Sequence, residues 1–213
     1  MDNKSEKEIA TPRKKRAYRG TVQAEVAELT RQRIIQAGLA LFDEQWSDTI
    51  TLEQIAEQAG VTVQTLLRHF GGRERLADAI SQEAFRLSQQ VLSEPVPGDS
   101  ASIAAILMVY YDVSGKRIMR GLAQEQRYPH LHSIIDVARA SHRAWIERAF
   151  APFLTDLEAA ARTRLLAQLF TLTGVFTWYM LRVECALSSA EATLALQEML
   201  ASLLTFQARD GDL

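Results

Sequence analysis

The stretch from Thr51 to Leu76, TLEQIAEQAGVTVQTLLRHFGGRERL, constrains the fold more than any other part of the chain. Leu52, Ile55, Ala56 and Ala59 recur at i, i+3, i+4 and i+7, which predicts a short amphipathic helix. Thr51 suits the N-cap position, with Gln54 three residues on as in a capping box. Gly60 ends the helix, because glycine enters the left-handed region at little steric cost. Thr62 caps a further helix that runs to about Phe70, where Gly71-Gly72 stops it. Two short helices joined by a tight, glycine-containing turn make a helix-turn-helix pattern. Ala56 allows a steep helix crossing, and Ile55, Val61, Leu66 and Phe70 supply a small core.

The surrounding chain predicts more helix and no strand. Ile34, Gly38, Leu41 and Phe42 form one helical stripe, widened by Ile35 and Leu39, in a helix from about Thr21 that Trp46 to Thr49 breaks. A longer helix runs from Arg73 to about Leu92, and Pro95, Pro97, Gly98 and Asp99 mark a linker. Helices follow from Ser100 to an interruption near Tyr128-Pro129, over 133–150, over about 154–186 and over 189–207, the last capped by Ser188 or Ser189. Only five prolines and ten glycines in 213 residues, with 47% apolar residues, fit a well-buried helical core. The expected fold is all-α: an N-terminal three-helix helix-turn-helix domain over 21–75, preceded by a disordered basic arm at 1–20, and a larger helical domain over 76–213.

Charge is distributed unevenly although the net value is only −2. Residues 9–36 carry Arg13, Lys14, Lys15, Arg16, Arg19, Arg31 and Arg33 against Glu25 and Glu28, a local excess of five positive charges. A basic patch of this kind attracts a phosphate backbone. Two readings of Arg13, Lys14, Lys15 and Arg16 remain open: an arm entering the minor groove, or a solvated tail adding nonspecific attraction. The lone Cys185 excludes an intrachain disulfide, and Met1 to Ala10 lacks an apolar core for a signal peptide, so a cytoplasmic location is expected. Leu165 to Leu181 is uncharged over 17 residues, but Gln168, Thr171, Thr173, Gly174 and Thr177 favour a helix buried in protein over a membrane span.

On the helix that follows the turn, Leu66 and Phe70 point inward, while Val63 with Leu67 and Gln64 with Arg68 make another surface. Glutamine can pair with adenine, arginine with guanine, and aliphatic groups with thymine methyls, so this surface fits a base-reading face. The alternative is that Val63 and Leu67 pack on a neighbouring helix. Arg73 opens a helix whose dipole opposes a cation, so phosphate binding explains it better than stability does. Thr51 is either a plain cap or a phosphate contact, and His69 a packing or phosphate-touching residue.

These residues resemble the DNA-binding domain of the TetR family of regulators. The resemblance covers residues 26–76 and is carried by Ile34, Ala37, Leu41, Phe42, Thr51, Ile55-Ala56, Ala59-Gly60-Val61, Thr65-Leu66, His69-Phe70 and Leu76. It implies an all-helical homodimer, usually a repressor, that sets its third helix in a major groove and releases DNA when a small molecule binds the C-terminal domain. The implied DNA contacts extend over Thr51, Thr62, Val63, Gln64, Thr65, Leu67, Arg68, His69 and Arg73. The resemblance departs at three points: Leu67 stands where a phosphate-binding tyrosine is usual, Trp46 where a helix-ending glycine is common, and Arg73 where a lysine is frequent.

The C-terminal half carries aromatic and methionine residues that suit either an ordinary core or a ligand cavity. The family resemblance places a pocket among the middle helices, and Met108, Tyr111, Met119, Trp145, Phe170, Thr173 and Trp178 are the expected lining. No compact charge cluster stands out there, which points to a mainly apolar effector. His130 and His132 lack enough companions for a metal site, and no metal or cofactor is expected. Stripes at Ala159, Ala160, Leu166, Leu169, Phe170 and Thr173, and at Leu194, Leu196, Leu200, Leu203 and Leu204, fit a four-helix dimer bundle built from the last two helices. The expected partners are double-stranded operator DNA, a second copy of the chain and a small molecule, with no membrane. An enzyme lacks support in the sequence; a ligand-independent DNA-binding protein and an activator remain alternatives.

Overall fold

The computed structural model describes residues 13–45 and 49–210, with side chains throughout except at 13–21, 130 and 207–210. Ten α-helices make up the described chain: α1 Arg13–Glu44, α2 Leu52–Ala59, α3 Val63–Phe70, α4 Arg73–Val91, α5 Ser100–Gln124, α6 Pro129–Ala149, α7 Ala151–Leu154, α8 Ala159–Leu172, α9 Val175–Tyr179 and α10 Ser189–Asp210. A π-helical turn, Met180–Glu184, continues α9. Among the described residues there is no strand, and no helix is long and apolar enough to cross a membrane.

Two hydrophobic clusters organise these helices. The first gathers Ile34, Ala37 and Leu41 of α1, Ile55, Ala56 and Ala59 of α2, Leu66 and Phe70 of α3, and Leu76, Ile80 and Ala84 of α4. Leu66 is fully enclosed, and burying such a side chain stabilises the unit by about 1.5–3 kcal/mol. The second gathers Ile103, Leu107, Met108 and Tyr111 of α5, Trp145, Ile146 and Ala149 of α6, Leu165 and Leu169 of α8, Trp178 of α9, and Leu196, Leu200 and Leu204 of α10. The linker between α4 and α5 is pinned to α6: the Trp145 indole N–H donates to the Ser93 carbonyl at 3.2 Å, and the Gly98 N–H to the Ala149 carbonyl at 2.8 Å.

Several helix bounds differ from the sequence expectation, each for a physical reason. α1 begins at Arg13 rather than about Thr21, so residues 13–20 are helix and not arm. Arginine, lysine and alanine favour helix, and Gly20 alone costs only about 1 kcal/mol. Residues 1–12 and Trp46 lie outside the described residues. α6 begins at Pro129, where a helix start needs no donor from proline. The expected continuous helix over 154–186 is broken between α7 and α8, broken again at Thr173-Gly174, and loosened into the π turn.

Gly115 on α5 shows why that helix and α9 pack so closely. A Cβ there would lie 2.6 Å from the Trp178 ring, so the bare glycine backbone is the seat of the indole. The indole N–H of Trp178 donates to Asp112 at 2.9 Å, and Asp112 also accepts from Arg182 and from Ser189 at the start of α10. One carboxylate on α5 thus ties α9, the π turn and α10 together.

Candidate nucleic-acid interface and cavity

The helix-turn-helix is closed by local capping. The Thr51 hydroxyl accepts from the Gln54 N–H at 3.2 Å, and the Gln54 side chain accepts from the Thr51 N–H at 2.8 Å, the reciprocal box expected from the sequence. Gly60 adopts φ 64°, ψ 40° at the end of α2, a left-handed turn that an L side chain resists. The Thr62 hydroxyl accepts from the Thr65 N–H at 3.1 Å and starts α3. These bonds use oxygen lone pairs, so the hydroxyl proton of Thr51 stays available to an external acceptor; its two readings are compatible.

α3 presents two different faces. Leu66 and Phe70 are buried, and Arg31 of α1 stands 5.4 Å over the Phe70 ring. Gln64, Leu67 and Arg68 are exposed, and together with Thr65 they border one shallow depression of the surface. Leu67 is 39% exposed, which argues against a packing role for it. Val63 differs: it is half-buried against the N-terminal core, so the expectation of a fully outward side chain is corrected there. His69 is half-buried beside Phe70, with ring centroids 6.5 Å apart. Arg73 is exposed and opens α4, a helix start at which no side chain caps the first amides. The side chains of Arg13, Lys14, Lys15 and Arg16 lie outside the described ones.

Behind this unit, α1, α4, α5, α6, α8 and α9 line a half-open cavity of about 470 Å³. Phe42, Phe85, Leu107, Ile118, Ile134 and Phe170 give it an apolar wall, with Tyr110, Tyr111, Arg117, Arg139 and His142 adding polar atoms. Of the seven residues expected to line a pocket, Tyr111 and Phe170 do so. Met108, Trp145 and Trp178 are corrected to core packing, because their helices turn them into the C-terminal cluster. Met119 packs half-buried against the same cluster. Thr173 is also buried, one layer behind the wall, where its hydroxyl meets His142 at 3.0 Å. His142, Phe85 and Arg139 escaped sequence reasoning, since nothing in their local spacing marks them.

Electrostatics keep the cavity neutral. Arg139 grips Glu125 through both nitrogens, at 2.5 and 2.7 Å, and this bond holds the Glu125 carboxyl below its usual range. Arg117 pairs with Asp43 at 2.5 Å. Burial pushes both Tyr110 and Tyr111 upward, so their hydroxyls stay protonated. Burial and the neighbouring Arg143 cation lower His142 to about 4. Glu125, His132 and Asp136 converge as metal ligands would, but Arg139 already pairs with both carboxylates, Glu125 at 2.5 Å and Asp136 at 3.3 Å.

A second cavity of about 430 Å³ lies between α1, α2 and α4 on one side and the Tyr128-Pro129-Leu131 corner on the other. Phe42, Ser81 and Leu131 line both cavities, so these three residues form a shared partition.

Comparison with known proteins follows the same division of the molecule. Residues 34–80 match the family described as bacterial regulatory proteins, tetR family. The HTH-type transcriptional regulator SrpR of Pseudomonas putida is 46% identical over 54 residues, 25% of this chain and 25% of that protein. A second HTH-type transcriptional regulator of Pseudomonas putida, TtgW, is 44% identical over 54 residues, 25% of this chain and 40% of that protein. The chain therefore matches less than half the length of either relative. The crystal structure of a tetR-family transcriptional regulator from Streptomyces coelicolor superposes with a TM-score of 0.69 at 20% identity, covering 85% of this chain and 83% of that one. The multidrug binding protein EbrR, complexed with imidazole, superposes at 0.55 with 18% identity over 79% and 93% of the respective chains. At these identities the likeness establishes a shared fold.

Proposed function

We propose that this chain, whose residues 34–80 match the tetR family of bacterial regulatory proteins, is a DNA-binding transcriptional regulator that works as a homodimeric repressor, its hold on a palindromic operator relaxed by a mainly apolar small molecule. The observation that carries this reading is an exposed α3 face, Gln64, Leu67 and Arg68, in the same chain as an apolar, charge-balanced cavity of about 470 Å³. Gln64 and Arg68 supply adenine- and guanine-directed groups, and Leu67 meets a thymine methyl. Thr51, Thr62, Thr65, His69 and Arg73 hold the phosphates on either side, with Val63 supporting the face from its half-buried position. Arg13, Lys14, Lys15 and Arg16, at the start of α1, extend the phosphate contact.

The dimer uses the C-terminal helices, though not through five of the residues first expected. Leu169, Thr173, Leu196, Leu200 and Leu204 are spent inside their own chain, whereas Phe176, Met180, Val183 and Leu194 stay exposed. Phe176, Met180 and Val183 follow one another at i, i+4 and i+7, a face suited to a second copy across a two-fold axis. Such symmetry demands operator half-sites about one helical turn, ~34–36 Å, or a multiple apart. Domain bounds follow the two clusters: the DNA unit extends through the first turns of α4, and the remainder senses and dimerises.

Release then acts through spacing. A molecule filling the cavity presses on Phe42 of α1 and on α4, both of which belong to the DNA unit. Moving the protein from about 1:99 to 99:1 between the two forms takes a preference of about 5.5 kcal/mol. Selection of bound sequences from random DNA by the full chain tests the reading. Recovery of inverted repeats with one-turn spacing supports it, and recovery of the unselected pool overturns it.

A further inference from the structure

Resting on the reading of the cavity as an effector site, we propose that His142 is the specificity-determining acceptor for electrically neutral effectors that carry one hydrogen-bond donor on an aromatic or aliphatic body.

The hydrogen bonds around Thr173 decide which way the imidazole is protonated. The Thr173 hydroxyl donates its one proton to the Leu169 carbonyl at 2.7 Å. Toward His142 Nε2, 3.0 Å away, it can therefore only accept. Nε2 carries the ring proton, and in a neutral imidazole Nδ1 is left with a lone pair. Nδ1 has no hydrogen-bond partner among the described residues. It is not sealed either: the buried side-chain nitrogens and oxygens that lack a partner there reduce to Nε of Arg120. The ring lines the cavity, so an acceptor without a protein donor is open to a small molecule. A pKa near 4 keeps that lone pair in place at neutral pH.

The rest of the wall defines the class of molecule. Phe170 lies with its ring centroid 5.0 Å from that of His142 and with Arg143 5.1 Å over its face, making an aromatic platform beside the acceptor. Both cations of the wall are committed, Arg117 to Asp43 and Arg139 to Glu125. Arg143, over the Phe170 ring, does not itself line the cavity, so an ionised effector would lose its water and meet no free countercharge on the wall, an unfavourable exchange. A neutral donor meets Nδ1 and keeps its hydrogen bond. The volume of about 470 Å³ suits a two-ring body.

The test uses three probes of one shape: 1-naphthol, 1-methylnaphthalene and 1-naphthoate, titrated by calorimetry into the full-length protein. 1-Naphthoate should bind at least tenfold more weakly than 1-naphthol. The affinity ratio of 1-naphthol to 1-methylnaphthalene should fall about three- to tenfold in His142→Phe and His142→Leu, the size expected for one neutral hydrogen bond. His142→Gln, whose amide can still accept, should keep most of the ratio. An unchanged ratio in the Phe and Leu variants overturns the inference, as does naphthoate binding as tightly as naphthol. Neither result touches the cavity reading, because the neutral probes still bind. Failure of all three probes to bind the wild-type protein overturns the cavity reading itself.

Discussion

The carboxylate of Asp43, at the last turn of α1, is held by the guanidinium of Arg117 on α5, Nε to Oδ1 at 2.5 Å and Nη2 to Oδ2 at 3.2 Å. Arg120, one turn further along α5, donates to the Asp43 carbonyl. Arg117 lines the cavity, and so does Phe42, the neighbour of Asp43. The pair therefore joins the helix that supports the DNA unit to the helix that a ligand touches. Asp43 is partly exposed, so replacing it by asparagine should cost stability by only about 0.5–1 kcal/mol. The larger effect should appear in coupling. The factor by which a cavity ligand weakens operator binding should fall by about threefold or more, measured by fluorescence anisotropy with and without ligand. An unchanged factor would reduce the pair to a structural brace.

The reading face makes a sharper prediction, because base and phosphate contacts respond differently. Arg68→Ala and Gln64→Ala should each weaken operator binding by about 1–3 kcal/mol and relax preference at a single base pair. Arg73→Ala should weaken binding to all sequences alike and lower the slope of log affinity against log salt by about one. Titrations of operator and scrambled DNA at several salt concentrations separate the two patterns.

The contrast between these two regions explains what was legible in the sequence. The box at Thr51 and Gln54 and the left-handed Gly60 depend on neighbours within a few residues, so the turn and its flanking helices could be read in advance. The cavity could not. A 3.6-residue stripe says that a side chain is buried, not which helix buries it, and Met108 and Trp145 went to the core for that reason. His142 owes its role to Thr173, 31 residues away in sequence. The uncharged run from Leu165 to Leu181 hid the break at Thr173-Gly174, where the Thr173 side chain turns back to its own helix.

Gly115 gives a direct test of the packing behind the cavity. A methyl group there meets the Trp178 ring at 2.6 Å, and the indole is also tethered through its N–H to Asp112. Gly115→Ala should destabilise the protein by about 1–3 kcal/mol, the usual range for overpacking a core. Chemical denaturation should register this as a lower midpoint with an unchanged slope.

Assembly is tested at Met180 and Val183, which are exposed and contribute to neither cavity. Met180→Glu with Val183→Glu should raise the dimer dissociation constant by more than about tenfold, since two carboxylates would be buried unpaired at each copy's face. Light scattering across a dilution series reads the constant. Operator binding should become steeply dependent on protein concentration, while circular dichroism of the monomer stays helical.

His142 should also leave a mark on stability against pH. Burial, then the Arg143 cation, lowers its folded pKa from 6.5 to about 4. The folded state therefore resists the proton that the unfolded chain accepts. Its contribution is fully present above about pH 6.5, where both states are neutral, and is lost as pH falls from 6.5 toward 4. The loss over that window should be on the order of 1–3 kcal/mol, because the ring is half-buried rather than sealed. His142→Gln cannot titrate and should flatten the stability curve between pH 6.5 and 4, with little change above pH 7. Urea melts at half-unit pH steps would show it. Parallel curves for the variant and the wild type would mean that the imidazole ionises in the folded protein as readily as in the unfolded chain, and that the cavity wall does not hold it neutral.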